Sequence, residues 1–206
     1  MSQNRGISLA ITGASGAIYG LRLLELLIKS GEHVYLMISK PAQVVIATET
    51  DLKLPSGNRE IEQFLGAKYG ASEGQLQLFG KDQWFAPVAS GSNAPRAMVV
   101  CPCSTSSLSS IATGASNSLM ERAADVMIKE RRQLILVPRE TPYSPIHLEH
   151  MLKLSQIGVT ILAASPGFYQ KPTSIDDLVD FVVARILDHL DIDHGLMKRW
   201  GASEGQ

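Results

Sequence analysis

Short apolar runs alternate along this chain with segments in which apolar residues recur every three to four positions. The short runs read as strands: Ile7–Thr12, His33–Ile38, Gln75–Phe79, Ala97–Cys101, Gln133–Val137 and Val159–Ala163. Four of them are nearly continuous apolar stretches, the pattern of parallel strands covered on both faces. The periodic segments read as helices: Ala17–Ser30, Pro41–Glu49, a short one near Arg59–Leu65, Ser104–Thr113, Ser118–Lys129, Pro145–Ile157 and Ile175–Leu190. This alternation predicts an α/β fold, a three-layer doubly wound parallel sheet with right-handed crossovers. Residues 1–190 read as one domain and 191–206 as a mostly polar C-terminal tail carrying Leu196, Met197 and Trp200. Asp51–Asn58 and the Ser/Gly/Pro-rich Ala86–Pro95 read as loops. The hexamer GASEGQ occurs at 70–75 and at 201–206, in surroundings too different to be a repeat.

Ligands on such sheets lie at the carboxyl ends of the strands. That directs attention to Thr12–Gly16, Ser39, Pro102–Ser107, Pro138–Glu140 and Pro166–Tyr169. In ISLAITGASGAIYG, residues 7–20, a strand runs through a small-residue turn into a helix. Gly13 and Gly16 permit backbone angles and close approaches that a side chain would block. The turn would present N–H groups at a helix N-terminus to an anion such as a phosphate. Ser15 suits both roles open to it, helix N-cap and hydroxyl facing that anion. The spacing falls short of the full G-x-G-x-x-G, so a dinucleotide is weakly indicated.

The segment VCPCSTSSL, residues 100–108, reads as a strand that ends, a proline that breaks it, and a hydroxyl-rich helix start able to hold a phosphate or a flavin edge. Cys101 and Cys103 alone fall short of a structural zinc site and read as buried structural residues. Arg122 and Lys129 lie seven apart on one helix; Arg139 and Glu140 follow a strand; Arg185 interrupts the apolar FVVARIL pattern. Arginines so placed bind planar oxyanions, while cations around Lys129 also suit a helix C-terminus. Glu49 and Glu140 are candidate proton carriers, or members of ordinary ion pairs. Asp176, Asp177 and Asp180 match a D-D-x-x-D diphosphate–magnesium motif, but Ser174 and Asp177 fit a helix capping box better. His147, Glu149 and His150 read as surface positions rather than a zinc site.

Composition narrows the classes. The chain has 206 residues, 45% hydrophobic and 19% charged, enough for one α/β domain with a full core. A net charge of −1 gives no bulk attraction to nucleic acid or an anionic membrane. No apolar run approaches the length of a membrane span, and MSQNRG has no apolar segment after it that would make a signal peptide. Two cysteines one residue apart form no disulfide framework, which fits a reducing cytoplasm.

Taken in order, ITGASGAIYGLRLLE (11–25), ISKPAQ (38–43), ATETD (47–51), ASGS (89–92) and VCPCSTSSLSSIATG (100–114) resemble the flavin prenyltransferase family. ERAADVMIKERRQLILVPRETP (121–142), PGFYQKP (166–172) and FVVARILDHL (181–190) continue the likeness. The resemblance implies a flavodoxin-like fold and an enzyme that joins the dimethylallyl group of dimethylallyl phosphate to reduced FMN, at N5 and then C6. The product, prenylated FMN, would serve a partner decarboxylase in ubiquinone biosynthesis or aromatic acid decarboxylation. It further implies a homo-oligomer, typically a dodecamer with sites between subunits, and no metal. By the same resemblance Gly13, Ala14 and Ser15 form the FMN turn, with Ser39, Ser104, Thr105, Ser106 and Ser107 as further contacts. Arg139 would lie between flavin and substrate. Tyr169 and Arg185, with Lys129, Arg122, Ser90 and Gly91, would grip the substrate phosphate, some from a neighbouring subunit. Glu140 would sit near that phosphate, and Glu49 with Ser15 would form a relay near flavin N5. Trp84, Tyr169 and Trp200 are candidates to stabilise an allylic cation with their ring faces.

Two other readings compete. One is a flavin-dependent decarboxylase of aromatic acids, which reads as an indirect effect of supplying the partner's cofactor, or of cysteine-type substrates; the cysteine-type family shares the fold, but its motifs call for a histidine after the first turn, P-A-S-A-N-T and M-N-x-x-M. This chain has Ile18-Tyr19-Gly20, PCSTSS and Asn117–Glu121 there. A non-catalytic flavin carrier would need the Gly13–Ser15 turn but not Glu49, Glu140 or Arg185.

Overall fold

A computed structural model describes residues 6–197. Six parallel strands form one sheet in the order β3-β2-β1-β4-β5-β6. They are β1 (Ile7–Ile11), β2 (Val34–Ile38), β3 (Leu76–Leu78), β4 (Ala97–Cys103), β5 (Gln133–Pro138) and β6 (Thr160–Ile161). The helices are α1 (Ala17–Lys29), α2 (Lys40–Glu49), α3 (Asn58–Tyr69), α4 (Thr105–Thr113), α5 (Leu119–Lys129), α6 (Pro145–Gln156) and α7 (Ile175–His189). Two short 3-10 turns, Pro87–Ala89 and Gly91–Asn93, lead into β4. The doubly wound architecture is the one the alternating pattern predicts.

Alternation along each strand builds the three layers. On β1, Ile7, Leu9 and Ile11 point into one core with Leu24 of α1 and Val182 and Ile186 of α7. Ala10 points into the other, with Met98 and Val100 of β4 and Leu108, Ala123 and Met127 of α4 and α5. α1 lies close against the sheet because position 20 is glycine: a Cβ there would stand 2.3 Å from the Cys101 carbonyl oxygen.

Some boundaries differ from expectation. β4 does not end at Cys101; it runs to Cys103 through Pro102, with a register shift between Val100 and Cys103 that accommodates a residue lacking an N–H. The short helix near Arg59–Leu65 extends over Asn58–Tyr69 and closes at Gly70 in the left-handed region, φ 73°. β6 is two residues rather than five, although Leu162 and Ala164 still donate to Leu136 and Pro138 of β5. Serines cap five helices: Ser39, Ser104, Ser118, Ser144 and Ser174. Past α7 the chain turns back, with Ile192 in the core and His194 Nε2 3.2 Å from Asp188. No helix among the described residues is long and apolar enough to cross a membrane.

Candidate functional site

The sheet order reverses between β1 and β4, so the crevice at their carboxyl ends is the place where such a fold receives a ligand. The turn after β1 is held shut from several directions. Gly13 meets the first turn of α2 so closely that a Cβ would stand 2.4 Å from Pro41 Cβ. Ala14 N–H donates to Thr12 O at 2.9 Å. Gly16 has φ 99°, a conformation that favours glycine.

Ser15 is not the N-cap of α1. That position is Gly16, without a side-chain cap, and the acceptor comes from 33 residues away: Glu49 Oε2 takes the Gly16 and Ala17 N–H groups at 2.8 and 3.0 Å. Ser15 instead gives its hydroxyl hydrogen bond to the same carboxylate. Burial pushes the Glu49 pKa up, but Ser15, the two backbone N–H groups and the Arg139 charge outweigh it and hold the carboxyl below its ordinary range. Arg139 Nε donates to Ser15 O at 3.1 Å, so the guanidinium lies across the turn. A turn expected to offer N–H groups to an outside anion thus already holds one of its own.

The β4–α4 junction supplies the facing wall. Ser104 caps α4 by accepting from Ser107 N–H at 3.3 Å, and its hydroxyl donates to Ser107 Oγ at 3.0 Å. Ser107 is buried, Thr105 is half-buried and Ser106 exposed, and the N–H groups of the latter two belong to the first turn of α4, which has no intrahelical acceptors for them. Ser39, at the end of β2, caps α2 by accepting from Ala42 N–H at 3.1 Å. After β5, Glu140 Oε1 accepts Thr141 N–H at 2.9 Å beside Arg139. Tyr143, which sequence reasoning missed, lies there too: its hydroxyl donates to Pro138 O at 3.4 Å, and burial, with Glu140 next, raises its pKa. Nothing but its place four residues after Arg139 marked it.

Beyond β6, the Tyr169 ring packs edge-on to Phe181 of α7 at 5.5 Å. Arg185 follows Phe181 by one turn on the same helix face and pairs with Asp188 at 2.6 Å. Arg185 is solvent-exposed, despite its apolar neighbours in sequence.

The remaining predicted cations form a group of their own. Arg122 donates to Ala89 O at 3.2 Å and pairs with Asp125 at 2.7 Å; Lys129 pairs with Glu130. Gly91 sits against Lys129, and the Ser90 hydroxyl bonds Ser92. This segment feeds the start of β4, where Arg96 N–H reaches Gly6 O. Seven residues of strand, about 20 Å, separate that start from Cys103. Within one protomer, then, Ser90, Gly91 and Lys129 are not brought to Arg139. Trp84, 42% exposed, lies on the loop after edge strand β3, whereas Tyr169 follows the opposite edge strand β6. Trp200 lies outside the described residues.

The other sequence motifs have local structural uses. Cys101 and Cys103 are wholly buried, and burial raises both thiol pKa values, that of Cys103 to about 12. Asp177 closes the Ser174 capping box, and Asp180 holds Arg22 through both oxygens at 2.7 and 3.0 Å. His147 is not simply a surface residue: its Nδ1 accepts Ser144 N–H in the capping box of α6.

Comparison with known proteins agrees in sequence and in fold. A family model described as Flavoprotein matches residues 1–187. The chain is 59% identical over 201 residues to the flavin prenyltransferase UbiX of Pseudomonas aeruginosa, covering 98% of this chain and 96% of that one. It is 46% identical over 195 residues to the flavin prenyltransferase UbiX of Methanocaldococcus jannaschii, covering 95% and 98%. Among solved structures, a UbiX protein in complex with FMN and dimethylallyl pyrophosphate superposes with a TM-score of 0.86 at 39% identity, over 98% of this chain and all of that one. A dodecameric FMN-dependent UbiX-like decarboxylase from Escherichia coli O157:H7 superposes with a TM-score of 0.82 at 38% identity, over 95% and 99%.

Proposed function

The chain belongs to the flavoprotein family and, within it, to the flavin prenyltransferases, and on that premise we propose that it joins a dimethylallyl group from dimethylallyl phosphate to reduced FMN, first at N5 and then at C6. It is a prenyl-transferring enzyme with FMN as co-substrate. One observation carries the reading: the small-residue turn, the first-turn N–H groups of α4 and the Ser15–Glu49–Arg139 network converge at the crevice between β1 and β4.

The residues present fit a flavin mononucleotide. Gly13 lets the turn close onto Pro41 at the start of α2, where a side chain would not fit. Thr105 and Ser106 N–H groups at a helix N-terminus suit a phosphate or a polarised ring edge. When bound, reduced FMN supplies the nucleophilic nitrogen and carbon to which the C5 unit is joined. Ser15 donates to Glu49, so its oxygen is left as an acceptor toward the crevice; it takes a proton at Oγ and passes its own to the Glu49 carboxylate. Glu140, oriented through Oε1 by Thr141, moves a proton at the leaving phosphate. Breaking the allylic C–O bond sends the electron pair to phosphate, and Arg139, Arg185 and Tyr169 stabilise that charge without a metal. Arg122, Lys129, Ser90 and Gly91 complete the grip from a neighbouring subunit of a homo-oligomer, a dodecamer like the Escherichia coli neighbour. The product passes to a partner decarboxylase in the cytoplasm.

The test is anaerobic incubation with reduced FMN and dimethylallyl phosphate in the presence of EDTA, with mass spectrometry of the released flavin. The expected result is a gain of one C5 unit, lost in Glu140→Gln and Arg185→Ala. Unchanged FMN with this donor, but a C5 gain with the diphosphate, would overturn the choice of donor. Unchanged FMN with both would overturn the transfer itself.

A further inference from the structure

Thr12 is 2% exposed, sits at the end of an apolar strand, and looks like an ordinary β-branched strand residue. Its hydroxyl does two things at once. It donates to Pro102 O at 2.8 Å and accepts Ser104 N–H at 2.8 Å. The Thr12 backbone N–H reaches the same Pro102 carbonyl at 3.3 Å. One side chain just past β1 therefore holds both the last part of β4 and the cap residue of α4.

The two elements so joined are the two walls of the crevice. Gly13, Ala14 and Ser15 begin one residue after Thr12, and the first turn of α4 begins one residue after Ser104. The β1–β4 ladder ends at the Ala10–Val100 pair, and the β4–β5 ladder shifts register between Val100 and Cys103, where the strand approaches α4. Beyond the Ala10–Val100 pair, three hydrogen bonds of Thr12 tie the end of β1 to Pro102 and Ser104. A valine has the same shape but neither donates nor accepts, so it would leave Ser104 N–H without its acceptor and the gap between the walls unset.

We propose that Thr12 is a positioning residue, whose hydroxyl fixes the spacing between the Gly13–Ser15 turn and the α4 N-terminus and thereby the affinity for the flavin held between them. This rests on the assignment of the crevice to FMN made above, but not on the transfer reaction. Glu49 and Arg139 reach the turn side of the crevice, and Thr12 holds Ser104, the cap residue of the α4 side.

The experiment measures FMN dissociation constants by fluorescence quenching for wild type, Thr12→Val and Thr12→Ser, with flavin absorbance spectra, melting temperature and assembly mass recorded on the same samples. The expected result is FMN binding weakened about tenfold in Thr12→Val, with an altered visible spectrum, and restored to within about twofold in Thr12→Ser, which keeps both hydrogen bonds. A lowered melting temperature with unchanged affinity and spectrum, measured well below the transition, would make Thr12 a merely structural residue and overturn the proposal. Should Thr12→Val not fold, Thr12→Ser carries the test, and a tenfold loss in it would also overturn the proposal. Wild type that fails to bind FMN would refute the assignment of the crevice and this inference together. Wild type that binds FMN without transferring the C5 unit would refute only the reaction.

Discussion

Replacing Glu49 by glutamine isolates what a distant carboxylate does for the first helix. The substitution keeps the size and one acceptor oxygen but removes the charge. Glu49 accepts from Gly16 and Ala17 N–H groups at 2.8 and 3.0 Å and from the Ser15 hydroxyl. Charged acceptors form bonds roughly twice as strong as neutral ones, and a charge at a helix N-terminus adds about 0.3–1 kcal/mol. Because Glu49 is exposed, solvent screening reduces both contributions. The expected loss is about 1 kcal/mol at neutral pH, or about 2–4 °C in Tm for a domain of this size. The pH dependence follows from the direction of the pKa shift. The folded-state carboxyl is depressed, so its contribution is present above the unfolded-state value of about 4.3 and is lost as pH falls through the lower folded value. The assay is thermal unfolding of both proteins at matched concentration from pH 7 downward. The gap should be open at pH 7 and close below about pH 4 as wild type becomes the neutral isostere. A gap that persists undiminished in acid, or is absent at pH 7, would refute the charge-capping argument.

Two further outcomes are expected. Gly13→Ala places a methyl 2.4 Å from Pro41 Cβ and should cost about 1–3 kcal/mol by chemical denaturation while weakening FMN binding; an unchanged midpoint would show that α2 yields freely. Ser8 is wholly buried with its hydroxyl unpartnered, so Ser8→Ala should raise stability by about 1 kcal/mol in thermal unfolding, and a fall would reveal a partner for that hydroxyl.

The strands were legible because burial on both faces leaves long apolar runs, and the serine cap of α7 was legible because capping is local. The cap of α1 was not. Local rules offered Ser15, but Gly16 takes the position and Glu49 arrives from the end of another helix, which no short window of sequence contains. Pro102 hid the last residues of β4, since a proline reads as a breaker unless a register shift accommodates it. The cations were found by type, yet the acids that hold them, Asp125 and Asp188, lie at i+3 and are visible only once the helix face is known. The separation of Lys129, Ser90 and Gly91 from Arg139 is a property of sheet topology, and residue type carries no record of it.

The pairing of Arg185 with Asp188, and of Arg122 with Asp125, bears on how the proposed reaction turns over. A bare cationic pocket would retain the inorganic phosphate it helped to expel. Here each arginine has an acid one helical turn away on the same helix, present at the high effective concentration that a short tether confers. On the proposed reading, the incoming substrate would exchange with that carboxylate and the departing phosphate would be displaced by it, so the ion pair that weakens capture would also clear the site for the next cycle.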